Sequence, residues 1–229
     1  MSTQAMASWS GGKDSCLALW RAQKAGTNIT HLLTALDETG LRTRSHGVTK
    51  ELISAQGESL GMRNTFISAS WQEYEKHFIG ELKQLHALGI REAIFGDIDL
   101  IAHREWEEFV CMKAGLTAVL PLWNEDRLAM VHEFLRAGFK AWVVCVDGSS
   151  LDDSFVGVEF NQEFLNRLPH DVDACGENGE FHTFVFDGPN FRHPVKWESL
   201  GKKTYVSPKE YGEKTYYFDL LGAPASRTP

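Results

Sequence analysis

Ser10-Gly11-Gly12-Lys13-Asp14-Ser15, directly after the short apolar run Ala5-Met6-Ala7-Ser8-Trp9, is the stretch on which the reading of this chain turns. Two adjacent glycines can take positive φ, so that successive backbone N–H groups turn inward as an anion-binding nest. Ser10 and Ser15 add hydroxyl donors and Lys13 adds a point charge. Residues 15–25 read as a helix, which puts the nest at the positive end of a helix dipole. The stretch therefore predicts a phosphate cradle between a first strand and a first helix. It is not a Walker A loop, which would need glycine where Ala7 stands and serine or threonine where Asp14 stands. The competing reading is a glycine turn that merely caps a helix with Lys13 solvated, and it leaves the Lys-Asp-Ser continuation unexplained. Lys13 and Asp14 are expected to lie outside the core.

Strand and helix patterns alternate outward from this point. Strands are expected over 5–9, 31–36, 65–69, 93–97 and 118–122, with helices over 15–25, 50–60, 73–88, 102–114 and 125–137. Gly26, Gly61, Gly89, Gly115 and Gly138 stand where those helices should end. Such alternation predicts an α/β fold with a doubly wound parallel sheet, whose ligands bind beyond the carboxyl ends of the strands. After a further strand over 140–147 the rhythm changes. A short helix over 161–168 precedes strands over 181–186, 195–198, 203–206 and 215–220, and 222–229 reads as a frayed end. Two regions follow: residues 1–140 as a phosphate-binding domain and residues 141–229 as a smaller α+β substrate-binding region.

Composition narrows the function. The chain has 229 residues, 43% hydrophobic and 24% charged, as in an ordinary soluble protein able to bury a substantial core. A net charge of −8 argues against a broad nucleic-acid footprint, although Arg42, Arg44, Lys50 and Arg63 could form a local basic patch. Four scattered cysteines without a C-x-x-C pair give neither a disulfide framework nor a metal signature, which suits a reducing cytoplasm. No apolar run reaches membrane-spanning length, so no membrane partner is expected.

A second string is Asp173-Ala174-Cys175-Gly176-Glu177-Asn178-Gly179-Glu180-Phe181-His182-Thr183. Glycines bracket Glu177-Asn178, a turn that can gather Glu177, Glu180 and His182 for metal binding, acid–base work or capture of a cation. On the residues alone a solvated acidic turn is an equal reading.

The first string matches the S-G-G-x-D-S signature of the PP-loop ATP pyrophosphatases, and this resemblance implies a HUP-type domain that cleaves ATP between its α and β phosphates. The two strings together closely resemble the diphthine–ammonia ligase family. Further matches are Ser45-His46-Gly47, Gly96-Asp97-Ile98, Arg104, Pro121-Leu122-Trp123 and Asp187-Gly188-Pro189-Asn190-Phe191, spread over nearly the whole chain. The resemblance implies a minimal ligase module, without the fused C-terminal domains of some longer relatives. The resemblance implies ATP-dependent, AMP-forming amide synthesis. Diphthine on elongation factor 2, which bears a carboxylate and a trimethylammonium, would be adenylated and then attacked by ammonia to give diphthamide.

The resemblance and the chemistry together assign roles. Ser10, Gly11, Gly12, Lys13, Asp14, Ser15, Asp97 and Arg104 are expected to bind ATP, with Asp14 also holding Mg2+. Lys13, Asp14 and His182 are the expected catalytic groups. His46, Glu177, Asn178, Glu180, His182 and Thr183 are the expected acceptor site, with Glu177 and Glu180 recognising cationic or polar groups and His182 orienting or deprotonating the amine. Asp99 is the weaker neighbour of Asp97, and Trp123 belongs to the core or a pocket wall. The seven tryptophans could include a cation–π surface for a quaternary ammonium. Three other readings stay open: a related enzyme acting on another small carboxylate, as in a bacterial source, a PP-loop tRNA-modifying enzyme, and a non-catalytic adenine-nucleotide sensor. A homodimer is compatible with all of them.

Overall fold

The computed structural model describes residues 3–209 and 212–224. Five strands, β1 (Gln4–Ser8), β2 (Asn28–Leu36), β3 (Arg63–Ser68), β4 (Ile90–Ile94) and β5 (Thr117–Val119), form a parallel sheet in the order β3-β2-β1-β4-β5. Helices α1 (Lys13–Lys24), α2 (Lys50–Leu60), α3 (Tyr74–Ala87) and α4 (Ile101–Ala114) connect them in turn. The chain winds from β1 outward to β3, then crosses back to β4, so the strand order reverses between β1 and β4. That switch point is where a doubly wound sheet leaves a crevice.

Period-two alternation on the central strands explains both layers. On β1, Ala5 and Ala7 pack into one apolar cluster with α1 and α2, while Met6 points into another with Phe78, Leu82 and Val110 of α3 and α4. The neighbours Leu32 and Leu33 on β2 divide in the same way. Gly61 and Gly115 close α2 and α4 in the left-handed region, with φ of +71° and +78°.

Helix α5 (Arg127–Arg136) leads into the second unit. Strands β6 (Lys140–Asp147), β7 (Phe181–Asp187), β8 (Glu198–Val206) and β9 (Thr215–Gly222) form an antiparallel sheet in the order β7-β6-β9-β8, accompanied by the short helix α6 (Gln162–Arg167). The expected doubly wound α/β fold with a smaller α+β region is the architecture found. Two details differ. The strand expected over 195–198 is absent except for Glu198, and the strand expected over 203–206 is the far half of a longer one, β8, whose pairing with β9 is interrupted between Ser199 and Lys202. Gly201 turns there with φ of +106°, and the polar break was read from sequence as a gap. The segment 222–229 was expected to fray, but Gly222 is paired with Glu198 as the last residue of β9, and residues 225–229 lie outside the described residues.

Strand β7 lies against α1, and the large apolar cluster runs without a break from the parallel sheet into β6 and β7. Gln56, fully buried on α2, sits at this junction. It accepts a hydrogen bond from the Trp9 indole (2.9 Å) and donates to the carbonyls of Gly11 (3.0 Å) and Val185 (2.6 Å). Leucine would fill the same space and leave those groups without their partner. Gln56→Leu is expected to lower unfolding stability by about 2–4 kcal/mol, measured by urea denaturation, and a change within experimental error would contradict the junction role.

Candidate active site

The loop after β1 is fixed by its own serines before any ligand arrives. Ser15 Oγ donates to the Gly12 carbonyl (3.0 Å) and lies 3.1 Å from Ser10 Oγ, and Gly12 N–H donates to Ser10 Oγ (3.2 Å). Of the two glycines only Gly11 takes positive φ (+78°), whereas Gly12 is extended at φ −90°. Gly12 answers to space, because a Cβ there would collide with the His46 ring. Gly96, just past β4, is equally constrained: its Cβ would stand 2.9 Å from the Ser15 backbone nitrogen. Strand β4 thus abuts the first turn of α1.

Strand β7 forms the opposite wall. Val185 N–H donates to the Gly11 carbonyl (2.9 Å), and Lys13 N–H donates to Thr183 Oγ1 (3.0 Å). The Thr183 carbonyl accepts from His46 Nδ1 (2.8 Å), so the proton sits on Nδ1 and Nε2 carries the lone pair. Between these walls lies a cleft of about 230 Å³ that includes Lys13, Asp14, His46, Asp97, Glu177 and His182. The two strings, some 170 positions apart in sequence, therefore share one site.

The electrostatics follow from burial. Lys13 is 6% exposed, contrary to the expectation that it lies outside the core, because β7 closes over the start of α1. Burial alone would lower its pKa, but the Asp14 carboxylate 2.7 Å away and Glu177 raise it overall, so the ammonium stays charged. Burial, aided by Lys13, lowers the pKa of His46. Burial, His46 and Lys13 hold His182 well below the usual histidine range. The two rings lie 4.7 Å apart and both are neutral at pH 7. Burial and the Asp14 carboxylate push Glu177 up to about 7.

The remaining predicted residues are placed differently from one another. Asp97 lines the cleft and is held by His103 Nδ1 at 2.6 Å. Arg104 stands outside it, exposed on α4, bonded to Glu108 (2.7 Å) and lying over Trp123 (5.0 Å). Glu180 is buried, and its carboxylate accepts from the backbone of Asp173 and Asn178 and from the Asn178 side chain, so it shapes the turn. Asn178 is spent on that same turn. Thr183 is buried and serves the loop and His46. Arg42, Arg44 and Lys50 form no basic field: Arg42 holds the Gly47 carbonyl, Arg44 lies over Trp71 and Lys50 over Phe66.

Sequence comparison agrees with this two-part construction. The diphthamide synthase N-terminal domain matches residues 2–118 and the diphthamide synthase C-terminal domain matches residues 126–212. The chain belongs to the diphthamide synthase family. Its relatives include the diphthine–ammonia ligases of Danio rerio (27% identical, covering 81% of this chain and 83% of the relative) and Homo sapiens (25%, covering 81% and 79%). That of Schizosaccharomyces pombe is 25% identical over 81% of this chain but only 34% of its own length. The expected ligase thus holds at the level of the family. Among solved structures, a predicted subunit of tRNA methyltransferase from Methanocaldococcus jannaschii is similar, with 19% identity and a TM-score of 0.43 over 62% of this chain and 80% of that one.

Two residues that position this diphthamide synthase site escaped the sequence reading. Gln56 had no signal beyond a polar residue on the inner face of a helix. Arg127 bonds Asp99 twice (2.8 and 2.7 Å) and Asp173 once (2.6 Å), and Asp173 in turn accepts the N–H groups of Cys175 and Glu177. A single arginine thereby ties the loop after β4 to the start of the second string, and this explains Asp99 as a structural partner.

The raised Glu177 carboxyl has a measurable sign. Between its ordinary value of 4.5 and about 7 the folded protein holds a proton that the unfolded chain has released. Stability from this group is therefore present at low pH and lost as the pH rises through about 7. Glu177→Gln is expected to flatten that part of the curve, measured by urea unfolding of both proteins between pH 5 and pH 8; parallel curves would contradict it.

Proposed function

We infer that this protein is an ATP-dependent, AMP-forming amide ligase that converts diphthine on elongation factor 2 to diphthamide with ammonium as nitrogen donor. One observation carries the chemistry: a neutral histidine pair and a charged, buried Lys13 face the same cleft at the start of α1. The curated relatives named diphthine–ammonia ligases support the acceptor. Four buried cysteines without disulfides are in keeping with a reducing cytoplasm. No helix among the described residues is long and apolar enough to cross a membrane.

A carboxylate is a poor electrophile because its oxide is a bad leaving group. In the first step a carboxylate oxygen attacks the α-phosphorus of ATP, the bond to the β-phosphate oxygen breaks, and pyrophosphate leaves with that electron pair. Charge gathers on the departing pyrophosphate. Lys13 would stabilise it at a helix N-terminus, with the Ser10 and Ser15 hydroxyls turning to it from the partners they hold within the loop. In the second step ammonia attacks the acyl carbon and AMP departs with the acyl oxygen. Ammonium must first surrender a proton. His182, neutral because burial, His46 and Lys13 disfavour its protonation, orients the ammonia through a ring nitrogen, and the two protons that the ammonium nitrogen sheds on the way to the amide pass to water.

Among the described residues no three histidine, cysteine or carboxylate groups close into a metal cage. The donors present suit Mg2+, which takes one or two carboxylates and completes its shell with phosphate oxygens and water. Asp14 would hold it, and it would neutralise phosphate charge.

With ATP, ammonium and diphthine-bearing elongation factor 2, the products are expected to be AMP, pyrophosphate and an amide detected by mass spectrometry. ADP as the first nucleotide product would overturn the ligase chemistry. AMP formed with another carboxylate but not with this acceptor would overturn the acceptor alone. Lys13→Met, which keeps the buried stem, is expected to lower turnover about 10²–10³-fold, while a melting curve checks that it folds.

A further inference from the structure

Beside the phosphate cleft is a larger cavity of about 410 Å³, and the two meet at Ser8 and Asp97. Its walls are Trp71, Tyr74, Phe95 and Trp106, and its acidic end is formed by Asp97 and Glu107. Glu107 is only 3% exposed, and its Oε2 is buried without a hydrogen-bond partner among the described residues. A carboxyl held in this way costs stability unless something else satisfies it. Burial and the neighbouring Asp97 push it up to about 11.

The aromatic walls are held in place rather than loosely collapsed. Trp106 Nε1 donates to Glu75 (3.1 Å), and its ring stacks on Tyr74 at 5.6 Å with 15° between the planes. Trp71 is 71% exposed, unusual for so large an apolar ring. Arg44, which lines the neighbouring cavity, already lies 4.5 Å from the Trp71 ring and 5.6 Å from Tyr74, so these rings accept a cation. Within the second string the one buried carboxylate that looked suited to a cation, Glu180, is consumed by its own turn.

We propose that this cavity is the subsite for an organic ammonium group of the acceptor, held between the Trp106 and Trp71 rings and the Glu107 and Asp97 carboxyls. Aromatic faces favour a fully alkylated ammonium over a primary amine, because the alkylated cation gives up less hydration to reach them. Because the cavity opens to the phosphate cleft at Asp97, an ammonium seated here delivers the carboxylate of the same molecule towards Lys13. That last step rests on the ligase reading; the cation site does not.

The test is titration of the full chain with choline and with its neutral isostere 3,3-dimethylbutanol, followed by tryptophan fluorescence. Choline is expected to bind, the isostere at least about tenfold more weakly, and Glu107→Gln and Trp106→Leu to weaken choline about tenfold. ATP affinity, measured in parallel, is expected to stay unchanged in Glu107→Gln, which keeps the shape of the side chain and controls for folding of the Trp106 variant. Equal binding of choline and the isostere, or binding of neither, would overturn the proposal. So would a loss of ATP binding in Glu107→Gln with choline unaffected, which would give the cavity to the nucleotide. Choline binding without AMP formation on any carboxylate would leave the subsite standing and remove the ligase reading.

Discussion

The hydrogen-bonded seam between the glycine loop and β7 is the constraint on which the rest depends. A glycine-rich loop by itself is soft, since glycine carries the largest conformational freedom of any residue. Here Gly11 and Lys13 are tied by main-chain groups to Val185 and Thr183, while Gln56 fastens the same place from beneath. The loop is therefore shaped before a phosphate arrives, and little ordering entropy is left to be lost on binding. The same seam buries Lys13, lowers the basicity of both histidines and lifts Glu177. One packing decision sets four ionisation states.

Those states suit reaction chemistry better than storage of a nucleotide. A charged lysine paired with one aspartate leaves room for phosphate oxygens, and two neutral imidazoles can offer a lone pair where imidazolium could not. The ion-pair clamp of Arg127 has a different part, because it touches no cleft residue through its own side chain. It holds Asp99 and Asp173, and through Asp173 the backbone that carries Glu177. Its charges are held in a partly buried network with several hydrogen bonds, where such a pair specifies geometry more than it adds stability.

Much of this was legible in the sequence because the signals were local. Alternating apolar runs, the closing glycines and the Ser-Gly-Gly-Lys-Asp-Ser string each report on a few neighbouring residues, and the parallel sheet, α1 and the cradle follow from them. Long-range geometry was not legible. Lys13 reads as lying outside the core, because nothing near it in sequence announces that β7 will cover it. Glu180 and Thr183 looked like ligand contacts, since a polar side chain reads the same whether it meets substrate or its own backbone. Gln56 and Glu107 were invisible for the converse reason: a single polar residue on a helix gains meaning only from what it faces. The break at Gly201 hid the first half of β8, because a bulge and a loop share the same turn chemistry.

The position of β7 in the chain has a consequence for how the molecule comes into being. All five strands of the parallel sheet and the glycine loop precede residue 120, yet the wall that completes the loop begins at Phe181. A ribosome extending the chain from its N-terminus makes the phosphate-binding half first. For the interval in which the next sixty-odd positions are being added, that half has a bare face where Val185 will sit and a Gln56 amide still wanting one of its carbonyls. The loop takes its final shape only once β7 has been made.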